Sequence, residues 1–359
     1  MTPSTIEATE REARGSDFAR LSRRVAEAGL LDRRPGYYTL RLGLVAVLLA
    51  GGWAAFLALG DSWAQLLVAV YLAVVITQVA LVAHDLAHRQ VFRSRRLSQA
   101  AGWLAGNLLV GMSYGWWMDK HTRHHANPNH EEHDPDVSPE VLIWSRRQAE
   151  ASRGLPRFLG RWQAFLFFPL LTLEGWNLHV ASFRALRRPH LKHRWVEAAL
   201  LVAHVAAYLG VVFAVLPLGK GLLFVAVHQA IFGVYLGCTF APNHKGMPTL
   251  TAEDRLDFLR RQVLTSRDVR GGLVVDIALG GLNYQIEHHL FPSMPTPNLR
   301  LAQPLVRAYC AELGVAYHET GLVDSYAQAL RHMHAVGAPI RARGSSTGSG
   351  SAGESQDAA

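Results

Sequence analysis

Histidine is the residue type in this sequence whose number and spacing point to chemistry: 18 of the 359 residues are histidines, and seven of them form three tight clusters. The first cluster is HDLAH, the second is HTRHH, and the third closes the sequence NYQIEHH. Histidines three or four residues apart, as in the first two clusters, lie on one face of a helix. The clustered residues are His84, His88, His121, His124, His125, His288 and His289, with Gln285 three residues before the third pair.

These clusters predict a site for two metal ions. Seven imidazoles exceed the three or four protein ligands of one tetrahedral zinc ion, and they suit two ions of five or six coordination. Imidazole fits iron, copper, nickel or zinc, so the ligand type leaves the metal open. A single histidine at a membrane edge is usually a neutral ring hydrogen-bonded to backbone or headgroup, but three clusters with helical spacing argue against that interpretation.

Other metal patterns fit less well. A zinc protease of the H-E-x-x-H type needs a glutamate as general base, whereas residue 85 is Asp. Soluble di-iron bundles use Glu-x-x-His ligands, but here Asp85 and Glu287 are expected to point away from the faces that carry the histidines. The two cysteines, Cys238 and Cys310, support neither a disulfide framework nor a cysteine metal site.

Four uncharged runs are long enough to cross a bilayer, which takes about 20 apolar residues. They cover roughly residues 42–60, 62–83, 198–219 and 221–243. Only Asp61 separates the first two runs and only Lys220 the last two, so we predict two helical hairpins. Residues 97–118 are also uncharged, but a crossing there would put the histidine clusters on opposite sides of the membrane. We therefore predict a buried or membrane-surface helix pair for that segment.

The net charge of +8 is explained by the positive-inside rule rather than by nucleic-acid binding. Arginines gather before the first hairpin and between the two hairpins, so both termini and the histidine clusters are expected in the cytoplasm. Because arginine far outnumbers lysine, a bacterial plasma membrane is the expected location. We predict a cytoplasmic N-terminal arm (residues 1–40), one membrane domain (41–335) and a disordered tail (336–359).

The residues around the clusters resemble a known family. HDLAHRQVF, WWMDKHTRHHANPN and GGLNYQIEHHLFPSMP are similar to the three histidine boxes of membrane fatty-acid desaturases, over roughly residues 82–299. The glutamine form of the third box resembles the front-end, linoleoyl-CoA desaturase-like branch, whose members introduce double bonds toward the carboxyl side of an existing one. Many of these relatives carry a fused cytochrome b5 domain with a His-Pro-Gly-Gly motif, which does not occur in this sequence.

The resemblance implies an all-α integral membrane enzyme, with four transmembrane helices in two hairpins and a cytoplasmic helical cap that holds a di-iron site. It implies two non-haem iron ions, O2 as co-substrate, a fatty acyl substrate, contact with membrane lipid, and electrons from a separate ferredoxin, cytochrome b5 or reductase. No catalytic residue beyond the metal ligands is expected. The implied ligands are His84, His88, His121, His124, His125, His244, Gln285, His288 and His289, where His244 comes from the sequence APNHKG and Asn243 is a weaker candidate for a contact through water.

Two other functions remain open from the sequence. A di-iron hydroxylase or ketolase of the same superfamily, acting on an alkane, sterol or carotenoid, would use the same histidine boxes. A membrane metal transporter would instead place histidines and carboxylates near the middle of the spans, whereas here the clusters lie at the span ends.

Several other polar and aromatic residues have two interpretations each. Trp116 and Trp117 fit an acyl channel or a membrane-interface anchor. His179 and Glu174 fit a contact with a ligand or a satisfied buried polar pair. His204 and His228 lie inside spans, too deep for the metal site, and we expect them to form helix–helix hydrogen bonds. The sequence leaves open the double-bond position, the chain length, the acyl carrier and the oligomeric state.

Overall fold

The structure is a computed structural model that describes residues 16–345, and their regular secondary structure is almost entirely helical. The first helices are α1 (Asp17–Glu27), α2 (Pro35–Leu59), α3 (Gln65–Ala87), α4 (Arg95–Gly102), a π-helical segment (Trp103–Val110), α5 (Tyr114–Ala126), a 3-10 turn (Pro135–Val137), α6 (Arg146–Ala151), α7 (Gly154–Gly160), α8 (Gln163–Leu171) and α9 (Glu174–Ala185). They are followed by α10 (Arg194–Val215), α11 (Leu218–His244), α12 (Phe258–Leu264), α13 (Leu273–Ala278), α14 (Gln285–Leu290), α15 (Thr296–Glu312), α16 (Leu322–Val336) and α17 (Ala338–Ser345). Two three-residue strands, β1 (Asp268–Arg270) and β2 (Glu319–Gly321), pair in parallel.

Four of these helices, α2, α3, α10 and α11, are long and apolar enough to cross a membrane. They form the two predicted hairpins, and the all-α membrane fold is confirmed. The inner helices α3 and α11 are buried along much of their length, whereas α2 and α10 leave most of their surface to lipid. Helix α2 begins at Pro35, earlier than the predicted start at residue 42, because Arg41 is paired inside the protein.

The far ends of the two hairpins meet through the two charged residues that separate their spans. Lys220 Nζ lies 2.7 Å from an oxygen of Asp61 and 5.2 Å from the ring centre of Trp63. The two turns therefore lie on the same side of the helix bundle, opposite the histidine clusters.

The uncharged segment 97–118 is a helix pair and not a crossing, as predicted. Helix α4 runs into the π-helical segment, and the chain reverses at Gly111, whose φ is +78°. A side chain at Gly111 would collide with the rings of His179 and His204, at 2.6 Å each. The reversal is held by the buried Glu197 carboxylate, which accepts hydrogen bonds from the Ser113 hydroxyl and the Gly115 N–H.

The remaining helices form a cap over the histidine end of the bundle. Its core is built from α1, α12, α14 and α15. Leu21, Val25 and Leu30 of the predicted N-terminal arm are buried in that core, so the described part of the arm belongs to the cap. Residues 1–15 lie outside the described residues.

The predicted disordered tail needs a correction in its first part. Residues up to Ser345 are helical, because Ile340 of α17 packs against Ile143 and Ala149 in a small apolar cluster. An apolar residue that finds a buried partner can order a segment whose composition alone is typical of disorder. Residues 346–359 lie outside the described residues.

A buried ion pair joins the first span, the first histidine cluster and the cap. An Arg41 Nη lies 2.8 Å from an oxygen of Asp85, and both side chains are almost fully buried. The same Asp85 oxygen accepts a hydrogen bond from the Thr296 hydroxyl at the start of α15. Gln90 and Tyr38 extend the network, since the Tyr38 hydroxyl donates to the Gln90 amide oxygen at 2.8 Å.

Removing the cation of this pair should destabilise the protein strongly. Arg41→Met leaves the Asp85 charge buried without its partner, a loss that typically costs about 3–5 kcal/mol. We expect a clear fall in the thermal unfolding midpoint in detergent, and partial recovery in the Arg41→Met, Asp85→Asn double variant. Arg93→Met, at an exposed arginine, is the matched control. An Arg41→Met midpoint equal to that of the control would contradict the assigned role.

Candidate metal centre

Four helices bring the predicted ligand residues to one place beneath the cap. His84 and His88 lie at the end of α3, and His244 closes α11. The second cluster lies on α5, whose N-terminus is capped by the Ser113 hydroxyl accepting from Trp116 N–H. Gln285 and the third pair lie on the short, fully buried helix α14.

The first group of imidazoles comes from His84, His88, His121 and His288. One ring nitrogen of each lies within 4.8 Å of those of the others. The Nε2 atoms of His88 and His121 are 2.8 Å apart. Neither ring nitrogen of His288 has a hydrogen-bond partner among the described residues, although both are buried. Buried nitrogens without partners are costly, and a cation between them would remove that cost.

The second group comes from His124, His244 and His289. His244 Nδ1 donates to the Thr265 carbonyl at 3.0 Å, and His289 Nδ1 donates to the Gln262 amide oxygen at 2.9 Å. The Gln262 orientation is fixed because its amide nitrogen donates to the His125 carbonyl. Since a neutral imidazole carries one proton, both Nε2 atoms present lone pairs, and they face each other at 3.0 Å. Such an arrangement fits a shared cation.

His125 lies between the two groups. Its Nε2 is 3.0 Å from His121 Nε2, and its ring stacks on His289 with centres 4.2 Å apart. Its Nδ1 is buried without a hydrogen-bond partner in the described part of the chain. The two groups are therefore neighbours within one cluster of eight imidazoles, which suits a pair of metal ions.

Gln285 reaches the same cluster through its amide. The amide nitrogen lies 2.9 Å from His244 Nε2, and the amide oxygen accepts from Asn243 at 3.2 Å. In this orientation Gln285 donates a hydrogen bond to the cluster. It would present its oxygen to a metal ion only after rotation of the amide.

Acidic residues outside the cluster hold one imidazole in a fixed orientation. The buried Asp134 carboxylate accepts from His124 Nδ1 at 2.9 Å and from the Asn129 N–H at 2.7 Å. Asp136 lies 3.4 Å from the same nitrogen and pairs with Lys120 at 2.7 Å. Carboxylates in this position fix the ring and make its other nitrogen a better metal ligand.

Burial keeps most of the imidazoles neutral. Desolvation, with a smaller contribution from neighbouring imidazoles, lowers the pKa of His121, His125, His288 and His289 well below the usual value. His124 is the exception: burial alone would lower its pKa, but the Asp134 and Asp136 charges raise it above the usual value. Metal ions bind the neutral form of imidazole, so most rings of the cluster are already in the form that binds a metal ion.

Arg267 fixes the end of helix α11 next to His244. This guanidinium is fully buried and donates to the carbonyls of Pro242 and Lys245, at 2.6 and 2.5 Å. A positive charge at a helix C-terminus stabilises the unsatisfied carbonyls and the helix dipole. Sequence reasoning missed Arg267, Asp134, Gln262 and Thr265, because nothing in their local spacing marks them as partners of histidines.

Glu287 points away from the imidazoles, as predicted. Its carboxyl hydrogen-bonds the Tyr317 hydroxyl at 2.9 Å, and Tyr317 also contacts the buried Asp268 carboxyl at 2.6 Å. Burial and the nearby Asp268 carboxyl raise the pKa of Glu287 well above its usual value. The Tyr317 hydroxyl thus links Glu287 of α14 to Asp268 of β1.

The other histidines that the sequence singled out lie elsewhere. His179 and His204 donate to the carbonyls of Gly111 and Leu108, both at 2.9 Å. His228 Nδ1 hydrogen-bonds the Tyr208 hydroxyl across α10 and α11 at 3.2 Å. His204 and His228 thus make the expected contacts between helices, and in the described chain none of the three belongs to a metal-binding group.

The two tryptophans differ in position. Trp117 stacks on His121 with ring centres 4.3 Å apart and meets the His84 ring edge-on. Trp116 lines a cavity of about 300 Å³ that also reaches Leu86 and Ala87, beside the first cluster. Both positions favour the channel interpretation over a role as membrane anchors.

Loss of the Asp134 carboxylate should weaken metal binding through His124. Asp134→Asn removes the charge that orients the ring, and loss of such a partner typically costs 10–100-fold in metal affinity. Fe(II) affinity, measured by competition with a chelator, should fall by about that factor. Asp254→Asn is the matched control, because Asp254 is an exposed carboxylate that only caps Thr251. Equal affinities for the two variants would show that Asp134 does not act on the metal site.

Comparison with known proteins agrees with this geometry. Residues 61–321 match the fatty acid desaturase family. The chain is 30% identical over 310 residues to the acyl-lipid (9-3)-desaturase of Physcomitrium patens, covering 84% of this chain and 58% of that protein. It is 32% identical over 323 residues to fatty acid desaturase 3 of Bos taurus, covering 86% and 71%. It is 28% identical over 342 residues to Delta(8)-fatty-acid desaturase 2 of Arabidopsis thaliana, covering 91% and 75%. A family match across nearly three quarters of the chain, on a fold that gathers the histidines of all three boxes, leads to one conclusion: this chain belongs to the fatty acid desaturase family.

Proposed function

We propose that this protein catalyses O2-dependent desaturation of a fatty acyl chain, introducing a C=C double bond, at a non-haem di-iron centre. The observation that carries the proposal is the two neighbouring imidazole groups, in each of which two Nε2 atoms lie 2.8 or 3.0 Å apart. The names of the relatives, which are desaturases of fatty acyl or acyl-lipid chains, support the same activity.

We assign the ligands by the two groups. His84, His88, His121 and His288 would hold one iron ion; His124, His244 and His289 would hold the other; His125 is placed to complete either set. Gln285 would contribute only through its amide oxygen. Bound there, the iron pair would supply the activation of O2 that removal of hydrogen from an unactivated methylene requires, which side-chain acid–base chemistry cannot provide.

The protein's own residues supply a dry apolar wall beside this centre. Trp117 and Phe240 contact the His84 ring, and they continue into an apolar cluster that includes Met112, Phe232 and Leu236. An acyl chain held against this wall would place one C–C bond beside the imidazoles and keep water away from it.

The cavity of about 300 Å³ is the proposed entrance for the substrate. Its inner end is formed by Leu86, Ala87 and Trp116, and its rim carries Arg89, Arg95, Arg188 and Lys192. The apolar inner end suits an acyl chain, and the basic rim suits the polar end of the molecule that carries it.

The orientation and the electron supply belong to the same proposal. Arginines concentrate before the first hairpin and between the two hairpins, and from the positive-inside rule we propose that the cap faces the cytoplasm. We propose a bacterial plasma membrane as the location, with both termini on the cytoplasmic side. Electrons would come from a separate ferredoxin, cytochrome b5 or reductase.

Expression in a host with a simple fatty-acid profile tests the activity. We expect a new unsaturated fatty acid by gas chromatography–mass spectrometry, with loss of that product in the His288→Ala, His289→Ala variant. The matched control is His130→Ala, His133→Ala, which removes a stacked pair of histidines outside both groups. The control should keep the activity and the bound iron. A hydroxylated or keto product in place of the alkene would indicate the hydroxylase or ketolase alternative.

Narrowing the proposed entrance should reduce turnover without loss of metal. Leu191 lines the cavity, and no histidine of the two groups does, so Leu191→Trp should lower the rate of desaturation severalfold while the iron content stays unchanged. Leu155→Trp, on an exposed leucine of α7, is the control. Full activity in the Leu191→Trp protein would move the acyl path elsewhere.

A further inference from the structure

A second depression in the molecule lies away from the histidine cluster, on the surface of the spans. It is a groove of about 460 Å³ between α9, α10 and α11. Its walls combine apolar side chains, such as Val205, Leu209 and Val225, with polar groups that are unusual at this depth. Gln229 lies 15 residues before His244 on α11, which is about 22 Å along the helix.

The groove is separated from the histidine cluster by packed apolar side chains. Val110, Met112, Leu178, Phe232 and Leu236 belong to one buried cluster that also contacts Trp117. The groove-lining residues His179 and His204 belong to neither metal-binding group. The groove is therefore a candidate site of its own.

The polar wall of the groove offers acceptors. His179 and His204 use Nδ1 to donate to backbone carbonyls, so in each neutral ring the other nitrogen is an acceptor. Gln229 is 4% exposed and its side chain lies beside His179, but its buried amide oxygen has no partner at full hydrogen-bond geometry among the described residues. A buried acceptor without a donor costs free energy, which a hydroxyl of a bound molecule would recover.

One end of the groove carries positive charge. Arg184 and Arg187 line it, both are exposed, and in residues 16–345 neither is paired with a carboxylate. Arg184 lies five residues after His179 on α9, about 7.5 Å along the helix axis. One glycerophosphate headgroup can cover that distance. The groove thus combines two arginine side chains that have no carboxylate partner in the described residues, several hydrogen-bond acceptors, and an apolar wall that suits an acyl chain.

We propose that this groove binds an anionic, hydroxyl-bearing membrane lipid at a site separate from the histidine cluster. The phosphate contacts Arg184 and Arg187, and headgroup hydroxyls donate to the acceptors on His179, His204 and Gln229. An acyl chain follows Val205, Leu209 and Val225 into the bilayer. Trp176 and Phe183, which also line the groove, pack against the lipid from α9.

Binding of phosphatidylglycerol to delipidated protein in phosphatidylcholine nanodiscs tests the site. Native mass spectrometry should find one tightly held phosphatidylglycerol per chain. Arg184→Gln, Arg187→Gln should bind it at least tenfold more weakly, and Gln229→Leu should bind it several-fold more weakly. The matched control is Arg93→Gln, Arg96→Gln, which removes the same charge from exposed arginines outside the groove. Equal losses in both arginine pairs would show general attraction to a basic surface and overturn the proposal.

A bulky side chain placed in the groove provides a second test of lipid binding. Val205→Trp should abolish retention of the lipid, whereas Val202→Trp, on an exposed valine of the same helix outside the groove, should leave it unchanged. Folding of each variant is checked by its thermal midpoint. If Val205→Trp folds and still binds, the groove is not the site.

A third arm separates this proposal from the proposed function. His288→Ala should bind phosphatidylglycerol as the unmodified chain does, because the groove does not include the histidine cluster. Loss of lipid binding in His288→Ala would place the lipid at the cluster and overturn the proposal, whether or not the protein desaturates fatty acids.

Discussion

The arrangement of the cap follows from one constraint: eight imidazoles are packed together in a largely buried cluster, and a ring that is to bind a metal ion must direct a lone pair toward its neighbours. A neutral imidazole has a single proton, so that direction is set by whatever accepts the proton on its other nitrogen. Asp134 does this for His124, the Thr265 carbonyl for His244, and Gln262 for His289. Helix α12 and the loop after α5 therefore lie where they can accept the N–H hydrogen bonds of these rings. The shape of the cap depends in part on this need to fix which nitrogen of each imidazole carries the proton.

The membrane half and the cap are joined through paired charges at the plane where they meet. Asp85 follows directly after a cluster histidine and binds Arg41 of the first span and Thr296 of the cap. Arg267 of the cap binds the carbonyls at the end of α11, on both sides of His244. Each contact fixes a helix end that carries a histidine, so the positions of the imidazoles depend on both halves. Buried charges are tolerated here because each has a partner of defined geometry.

The reversal at Gly111 divides the surroundings of the cluster into two regions. On one side lies the cavity that reaches Leu86 and Trp116, and on the other lies the groove with His179 and His204. Glu197, Ser113 and Gly115 hold the reversal rigidly. A π-helical segment lies just before it, and such segments are rare and occur frequently at functional sites.

The sequence by itself determined the spans, the hairpins and the three histidine clusters, because hydropathy and the i, i+3 and i+4 spacing are local properties of the chain. It also indicated that residues 97–118 do not cross the membrane, since the clusters on either side had to meet. Tertiary structure alone decided which histidines share a group, that His125 lies between the groups, and that the Gln285 amide donates to His244. It also decided the roles of Asp134, Gln262 and Arg267, and the helical order of residues 338–345. These depend on contacts between residues far apart in the chain, for which no local pattern carries a signal.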